Sequence, residues 1–316
     1  MKKKKKKLKI AAFLSAVLLL VVVLFIMGYW EKNMEIEIDT QEIEYGTAQK
    51  RNVETILVIG LDKYQTGEDA VGYINDQQAD FLLLVIMDRE NKVCDLLQIN
   101  RDTMAEIQRL GIGGGPAGTF TGQLALSHTF GSGGSDSCIN AKKAVSKFLN
   151  GIRIDHYVSL TMDAVGIIND MAGGVTLEIM DDFSNVDPEL VQGETMTLLG
   201  EHALHYVRYR SGLEDSSNLH RMERQRQYIS GLYYQIQRKK AEDPDFMMNA
   251  LVKASPYMMS DYTINQLSAM SEELEDCKVN PIITIPGETV KGTEFMEFYA
   301  DKEALDKIIQ QLFYIQ

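Results

Sequence analysis

Three short runs of unbroken apolar residues constrain this chain more than any other feature. Thr55-Ile-Leu-Val-Ile-Gly60, Phe81-Leu-Leu-Leu-Val-Ile-Met87 and the segment from Val93 to Ile99 are each the length of a strand. A strand without polar alternation is one buried on both faces. Asp88-Arg-Glu-Asn-Lys92 separates the second run from the third and has the length and polarity of a hairpin turn. A sheet covered on both sides needs helices, and helical spacing follows over residues 136–149, 163–171, 200–209, 219–240 and 300–313, with further strands expected at 156–160, 175–179 and 282–285. Gly173-Gly174 is expected to stop the second of these helices. Residues 123–130 are expected to form a short helix. Gly111 to Gly118, with five glycines and a proline, reads as a flexible loop, as does Gly131-Ser-Gly-Gly-Ser135. The fold class is α/β, with a central mixed, largely buried β-sheet and helices on both faces.

The N-terminus adds a second constraint. Lys2 to Lys7 and Lys9 precede an apolar stretch from Ile10 to about Met27, which closes on Gly28, Tyr29 and Trp30. Crossing the hydrocarbon core takes about 20 apolar residues. Lysines before the segment and aromatic residues after it orient the N-terminus inward. A cleaved signal peptide has a shorter apolar core and small residues at its cleavage site, where this chain has Phe25, Ile26, Met27 and Tyr29. The expected organisation is a cytoplasmic basic tip (1–9), a transmembrane helix (10–30), an extracytoplasmic stalk (31–51), a catalytic core (52–240) and a C-terminal strand and helix region of the same domain (241–316). The chain would be a single-pass cell-membrane protein with its domain outside.

Charge narrows the partners. The net charge is −13, and seven lysines lie in the first nine residues, so the remainder carries about −20. Such a domain repels nucleic acid, and an anionic ligand must meet a local basic cluster. Cys94, Cys138 and Cys277 permit at most one internal disulfide without identifying it. The histidines, His128, His156, His202, His205 and His220, show no metal-site spacing with the cysteines.

Several residue types at strand ends and on one helix suggest chemistry. Asp62 follows the first buried run and Asp80 opens the second. Ligands gather at strand ends in open α/β sheets, and two adjacent carboxylates suit one Mg²⁺, a hard ion that keeps waters and phosphate oxygens as further ligands; the alternative is that each acid caps a turn. Arg101, just past the third run, would face the same crevice with a planar fork matched to phosphate oxygens. Arg208 and Arg210 flank Tyr209, and Arg221, Arg224 and Arg226 follow on a helix where Arg221 and Gln225 share a face with Tyr228 and Leu232. The plain reading is a salt-bridged solvated helix; the sharper one is an anion site. No activated Ser, Cys or His nucleophile is recognisable. Arginines with paired carboxylates point to phosphoryl transfer, in which positioning and charge neutralisation dominate.

The order of these pieces resembles the LytR–CpsA–Psr family over residues 55–234. The resemblance rests on Gly60-Leu61-Asp62, Ala79-Asp80, Arg101-Asp102-Thr103, the His128…Gly133-Gly134 loop and Ile154-Asp155-His156-Tyr157-Val158. Gly173-Gly174-Val175, Leu199-Gly200-Glu201-His202-Ala203-Leu204, Arg208-Tyr209-Arg210 and Arg221…Arg224-Gln225 complete it. It implies a phosphotransferase that moves a phospho-glycopolymer from a polyprenyl-pyrophosphate carrier to a hydroxyl of peptidoglycan during cell-wall assembly. By position, Asp62 and Asp80 match the family's metal-binding acids. Arg101, Arg208, Arg210, Arg221 and Gln225 match its pyrophosphate-contacting residues, with Arg101 nearest the chemistry. Two departures stand out: a neutral Gln78 where the family has an arginine, and no lysine near Gln123 or Ala125. Fewer cations weaken pyrophosphate binding, because charge-assisted hydrogen bonds are the stronger ones. The rival readings are a polyprenyl-phosphate-binding or regulatory envelope protein without transfer, and a pyrophosphatase.

Overall fold

The computed structural model describes residues 50–61, 77–111, 114–210 and 217–315. The expected basic tip, transmembrane helix and most of the stalk lie outside the described residues, as does Asp62. Among the described residues no helix is long and apolar enough to cross a membrane.

The three apolar runs form β1 (Glu54–Leu61), β2 (Ala79–Asp88) and β3 (Val93–Ile99), followed by a hairpin of β4 (Met104–Leu110) and β5 (Pro116–Gln123). Helices α1 (Leu126–Thr129) and α2 (Ser135–Phe148) lead to β6 (His156–Thr161), α3 (Met162–Ala172) and a hairpin of β7 (Val175–Glu178) and β8 (Thr195–Leu198). Then come α4 (Gly200–Arg208), α5 (Asn218–Glu242), α6 (Phe246–Ala254), β9 (Met258–Ser260) and α7 (Ile264–Glu273). The chain closes with β10 (Lys278–Val279), β11 (Ile283–Thr284), the hairpin β12 (Gly287–Lys291) and β13 (Met296–Ala300), and α8 (Lys302–Phe313).

The central sheet has seven strands in the order β10-β3-β2-β1-β6-β9, with β11 also on β3. It is mixed: β1–β2, β2–β3 and β6–β9 are antiparallel, while β6 runs parallel to β1, and β10 and β11 run parallel to β3. The β2–β3 turn is the expected one, closed by Asn91, whose backbone N–H and side-chain amide both donate to Asp88 at 2.9 Å.

Side chains on a strand alternate between faces, and the apolar runs divide accordingly. Leu57, Ile59, Leu82, Leu84, Leu97 and Ile99 face one way and pack with Ala141 and Val145 of α2 and with Leu305, Ile309 and Leu312 of α8. Each such residue, fully buried, contributes ~1.5–3 kcal/mol. On the opposite face, Ile56, Met87 and Cys94 sit beneath Leu251 of α6 and Leu267 of α7. The β7–β8 hairpin forms a separate apolar cluster with Ala203 and Tyr206 of α4 and Tyr228 of α5. Helices therefore cover both faces of the sheet. Gly173 (φ 87°) and Gly174 (φ 78°) end α3 as the sequence implied.

The expected loop over 111–118 needs correction at its C-terminal end. Residues 116–118 belong to β5, which pairs with β4 from Leu110↔Pro116 to Met104↔Gln123. Most of β5 is solvent-exposed, so backbone pairing makes the strand and no apolar pattern announces it.

Candidate functional site

A cavity of about 230 Å³ lies between the sheet and helices α3, α4 and α5. The sheet supplies Val58, Gly60, Phe81, Leu83 and Leu160; the helices supply Met162, Val165, Ile168, Ile229 and Leu232 among others. The sheet residues are cross-strand neighbours, Val58 opposite Leu83 and Gly60 opposite Phe81, with Leu160 beside Gly60 on β6. They occupy the parity that the α2–α8 core leaves unused. The wall is apolar except for Asp80, Arg208, Arg221, Gln225 and the Tyr228 hydroxyl. That hydroxyl donates to Asn169 at 2.9 Å, and burial pushes its pKa up, so it adds no charge.

A β-bulge delivers Asp80 to this wall. Gly60 pairs with Phe81 and Leu61 with Ala79, which leaves Asp80 as an extra residue on β2. By strict alternation from Phe81 and Leu83, Asp80 would share the face of Leu82 and Leu84 and enter the apolar core. Instead Ala79 occupies that core, and Asp80 lines the cavity together with Phe81. Bulges re-aim side chains in this way. The close pairing also requires a glycine: a Cβ on Gly60 would lie 2.8 Å from Cβ of Phe81.

Arginines gather on Asp80 from two directions. Arg101, just past the end of β3 and only 8% exposed, donates from Nη1 to Asp80 Oδ1 and from Nη2 to Gln78 Oε1. Its Nε lies 3.3 Å from Asp102 Oδ1. Arg221, from the first turn of α5, places Nη1 3.8 Å from the same Asp80 oxygen and donates from Nη2 to the Asp80 carbonyl at 3.4 Å. Arg210 reaches Asp102 Oδ2 at 3.9 Å, so Asp102 stands between Arg101 and Arg210. Gln123 donates to Asp102 Oδ1 at 3.0 Å and to the Met296 carbonyl at 2.7 Å, tying this group to β13. Backbone bonds hold the floor in register. Ala125 N–H donates to the Arg101 carbonyl at 2.9 Å, and Ala79 N–H donates to the Ala125 carbonyl at 2.8 Å.

The face of α5 predicted from spacing is the face observed: Arg221, Gln225, Tyr228 and Leu232 all line the cavity. Gln225 is held at both ends, donating to the Val207 carbonyl at 3.2 Å and accepting from Gln98 Nε2 at 3.2 Å. Gln98, opposite Leu83 on β3, is the polar residue within an otherwise apolar strand face, and this pairing accounts for it. Arg208 ends α4, where a cation is favoured by the helix dipole and where its guanidinium lies 5.8 Å from the Tyr209 ring centre. Arg224 has a different task. Fully buried, it lies against Asp181 with Nε at 3.1 Å and over the rings of Phe183 and Tyr206. Of the three arginines on this part of α5, Arg224 is therefore structural.

Of the residues singled out from sequence, Asp80, Arg208, Arg221 and Gln225 line one cavity. Arg101 and Arg210 stand behind that wall, joined to it through Asp80 and Asp102. Asp62 lies outside the described residues; it follows Leu61, whose pairing partner Ala79 precedes Asp80. Sequence reasoning missed Gln78 as an acceptor for Arg101, and it missed Asn100, Gln98, Gln123 and Asn218, of which Gln98 meets Gln225, Gln123 meets Asp102 and Asn218 meets Asn100 across long sequence separations. Among the described residues no three His, Cys, Asp or Glu side chains converge as a metal cage. A single carboxylate at a cavity wall beside arginines still fits a hard divalent ion, which takes one or two protein carboxylates and fills its other positions with water and phosphate oxygens.

The sequence pattern of the LytR_cpsA_psr family matches residues 26–313. The chain is 31% identical over 182 residues to the polyisoprenyl-teichoic acid–peptidoglycan teichoic acid transferase TagU of Halalkalibacterium halodurans, covering 57% of this chain and 52% of that protein. It is 30% identical over 192 residues to the enzyme of the same description, TagV, of Bacillus subtilis, covering 58% and 44%. The chain thus matches about half the length of these curated relatives. The solved structure "TagT bound to LI-WTA" superposes with a TM-score of 0.60 at 20% identity, over 82% of this chain and 89% of that one, and shows a shared fold. With the family pattern running from within the N-terminal apolar segment to the last helix, the chain belongs to the LytR_cpsA_psr family.

Proposed function

We propose that this chain is a glycopolymer–peptidoglycan phosphotransferase acting on a polyprenyl-pyrophosphate-linked glycan. The observation that carries the reading is the pairing of an apolar cavity with charged wall residues Asp80, Arg208 and Arg221. An isoprenoid tail needs an apolar enclosure with nothing polar left unpaired, and its pyrophosphate needs cations with fork geometry. The relatives described as teichoic acid transferases support the same substrate class. The N-terminal lysines and apolar run support a single-pass anchor with the domain outside the cell, which would place the cavity beside the membrane that carries the lipid.

The chemistry follows from the arrangement. An acceptor hydroxyl oxygen attacks the phosphorus that bears the glycan. The bond from that phosphorus to the bridging oxygen breaks, prenyl monophosphate departs, and the hydroxyl proton passes to solvent. Charge builds on the phosphoryl oxygens and on the leaving phosphate, where Arg101, Arg208, Arg210 and Arg221 neutralise it without having to reorganise. Asp80 and Asp62 would hold Mg²⁺, which neutralises phosphate charge when bound. Asp80 and Gln78 hold the two Nη groups of Arg101, so its fork is already oriented. In this setting Gln78 replaces a cation with an acceptor, which lowers the site's charge while fixing the remaining arginine.

The test is incubation of the full chain with Mg²⁺, a lipid-linked pyrophosphoryl glycan and a peptidoglycan oligomer. Glycan on the oligomer, lost in Arg101→Ala, is the expected result. Phosphate release without transfer would make the chain a pyrophosphatase, and tight lipid binding with neither product would make it a binding protein.

A further inference from the structure

Arg101 and Arg221 meet on one carboxylate oxygen, Asp80 Oδ1, although one follows β3 and the other belongs to α5. A buried chain of amides links the two. The backbone N–H of Asp102 donates to Asn100 Oδ1 at 2.9 Å, Asn218 Nδ2 donates to the same oxygen at 2.7 Å, and Arg221 Nη2 donates to Asn218 Oδ1 at 2.7 Å. Asn100 and Asn218 are 4% and 7% exposed, and Arg221 is 4% exposed.

The direction of this chain is forced. A backbone N–H can only donate, so the oxygen of Asn100 must face Asp102. Asn218 must then turn its NH₂ toward that oxygen, which leaves its own oxygen for a guanidinium that has donors only. Reversing either amide would set acceptor against acceptor or donor against donor in a buried place, at a substantial cost. The chain also gives Arg221 an acceptor other than Asp80.

We propose that Asn100 and Asn218 are positioning residues that hold Arg221 at a set spacing from Arg101, and that this spacing selects pyrophosphate over monophosphate. The proposal rests on the prenyl-pyrophosphate reading above and extends it to release, because the product of transfer is the monophosphate. A site matched to two phosphates lets that product go.

Two isosteric substitutions test it. Asn100→Asp keeps an acceptor oxygen for both of its donors. Asn218→Asp keeps the acceptor for Arg221 but sets an oxygen against Asn100 Oδ1 and breaks the chain. Asn218→Asp also sets its charge directly on Arg221, so the uncharged Asn218→Ala is measured beside it, where charge cannot account for a loss. Calorimetry of the full chain in detergent, with Mg²⁺ and with geranyl pyrophosphate, geranyl monophosphate or geraniol, reads the preference directly. Wild type and Asn100→Asp are expected to prefer the pyrophosphate, while Asn218→Asp loses about tenfold of that preference. Equal losses in Asn100→Asp and Asn218→Ala, or a preference unchanged in Asn218→Ala, overturn the amide chain alone. A wild-type chain that binds geranyl pyrophosphate no better than geraniol overturns the pyrophosphate reading and this proposal with it. If Asn218→Asp does not give the wild-type circular dichroism spectrum, Asn218→Ala is read alone, with the same loss expected and the same retained preference overturning.

Discussion

Arg101 is buried among three acceptors, so its replacements separate charge from geometry. Arg101→Ala removes the partner of Asp80 Oδ1 and Gln78 Oε1 together, and transfer should fall by at least ~10²-fold. Arg101→Lys keeps the charge but cannot bridge Asp80 and Gln78 with a single ammonium; it should recover lipid binding better than it recovers turnover, as a comparison of KM with kcat would show. A second residue-scale prediction concerns Asp187, which accepts from His202 at 2.6 Å and His205 at 2.8 Å and so ties the β7–β8 connection to α4. The hydrogen bond to Asp187 raises the His202 pKa. Burial alone would raise the Asp187 pKa, but the bonds from His205 and His202 hold it below the usual range. The His202 contribution is full below the unfolded histidine pKa, near 6.5, and is lost as pH rises through the raised folded value. Asp187→Asn should therefore lower the melting temperature more at pH 6 than at pH 9, and an equal drop at both would contradict the assignment. At this scale the sequence showed Arg221, Gln225, Tyr228 and Leu232 as one face, because helical spacing is local. It could not show Asn100 with Asn218 or Gln98 with Gln225, because those bonds exist only once β3 and α5 are adjacent.

Among the elements, the bulge at Asp80 is the one on which the site depends. Gly60→Ala places a Cβ against Phe81 at a distance that real contacts do not show. Overpacking of this kind costs about 1–3 kcal/mol, and it should shift Asp80 away from the cavity. Thermal unfolding should record the loss of stability, and Mg²⁺-dependent lipid binding should weaken more than stability alone accounts for. Binding unchanged in a destabilised but folded variant would show that the bulge does not aim Asp80. Strands buried on both faces were legible because they consist of apolar runs, and α3 and α5 were legible from their period and, for α3, its glycine stop. The β4–β5 and β12–β13 hairpins were not. β5 and β12 are largely exposed, and a strand held only by backbone pairing leaves no apolar pattern to read. The bulge was invisible for a related reason: Gln78-Ala79-Asp80 is ordinary until β1 sets the register against it.

For the molecule as a whole, the helices over one face of the sheet leave an apolar cavity, while the other face carries a packed core. α2 and α8 close on their side as a packed core. α3, α4 and α5 stand over the other side with an apolar space beneath them, and polar pairs such as Gln98–Gln225 mark its border. A lipid tail would complete that layer in place of side chains. The tether expected from residues 10–30 belongs to the same account, since a domain held at the membrane meets a substrate whose tail is already there. The most direct measurement is native mass spectrometry of the full chain with a polyprenyl-pyrophosphate-linked glycan, comparing wild type with Val165→Trp, in which an indole fills part of the cavity. The account predicts a one-to-one lipid adduct in wild type and its loss in Val165→Trp at unchanged fold, with all the arginines still present. An adduct of equal strength in both would place the lipid elsewhere and contradict the central claim.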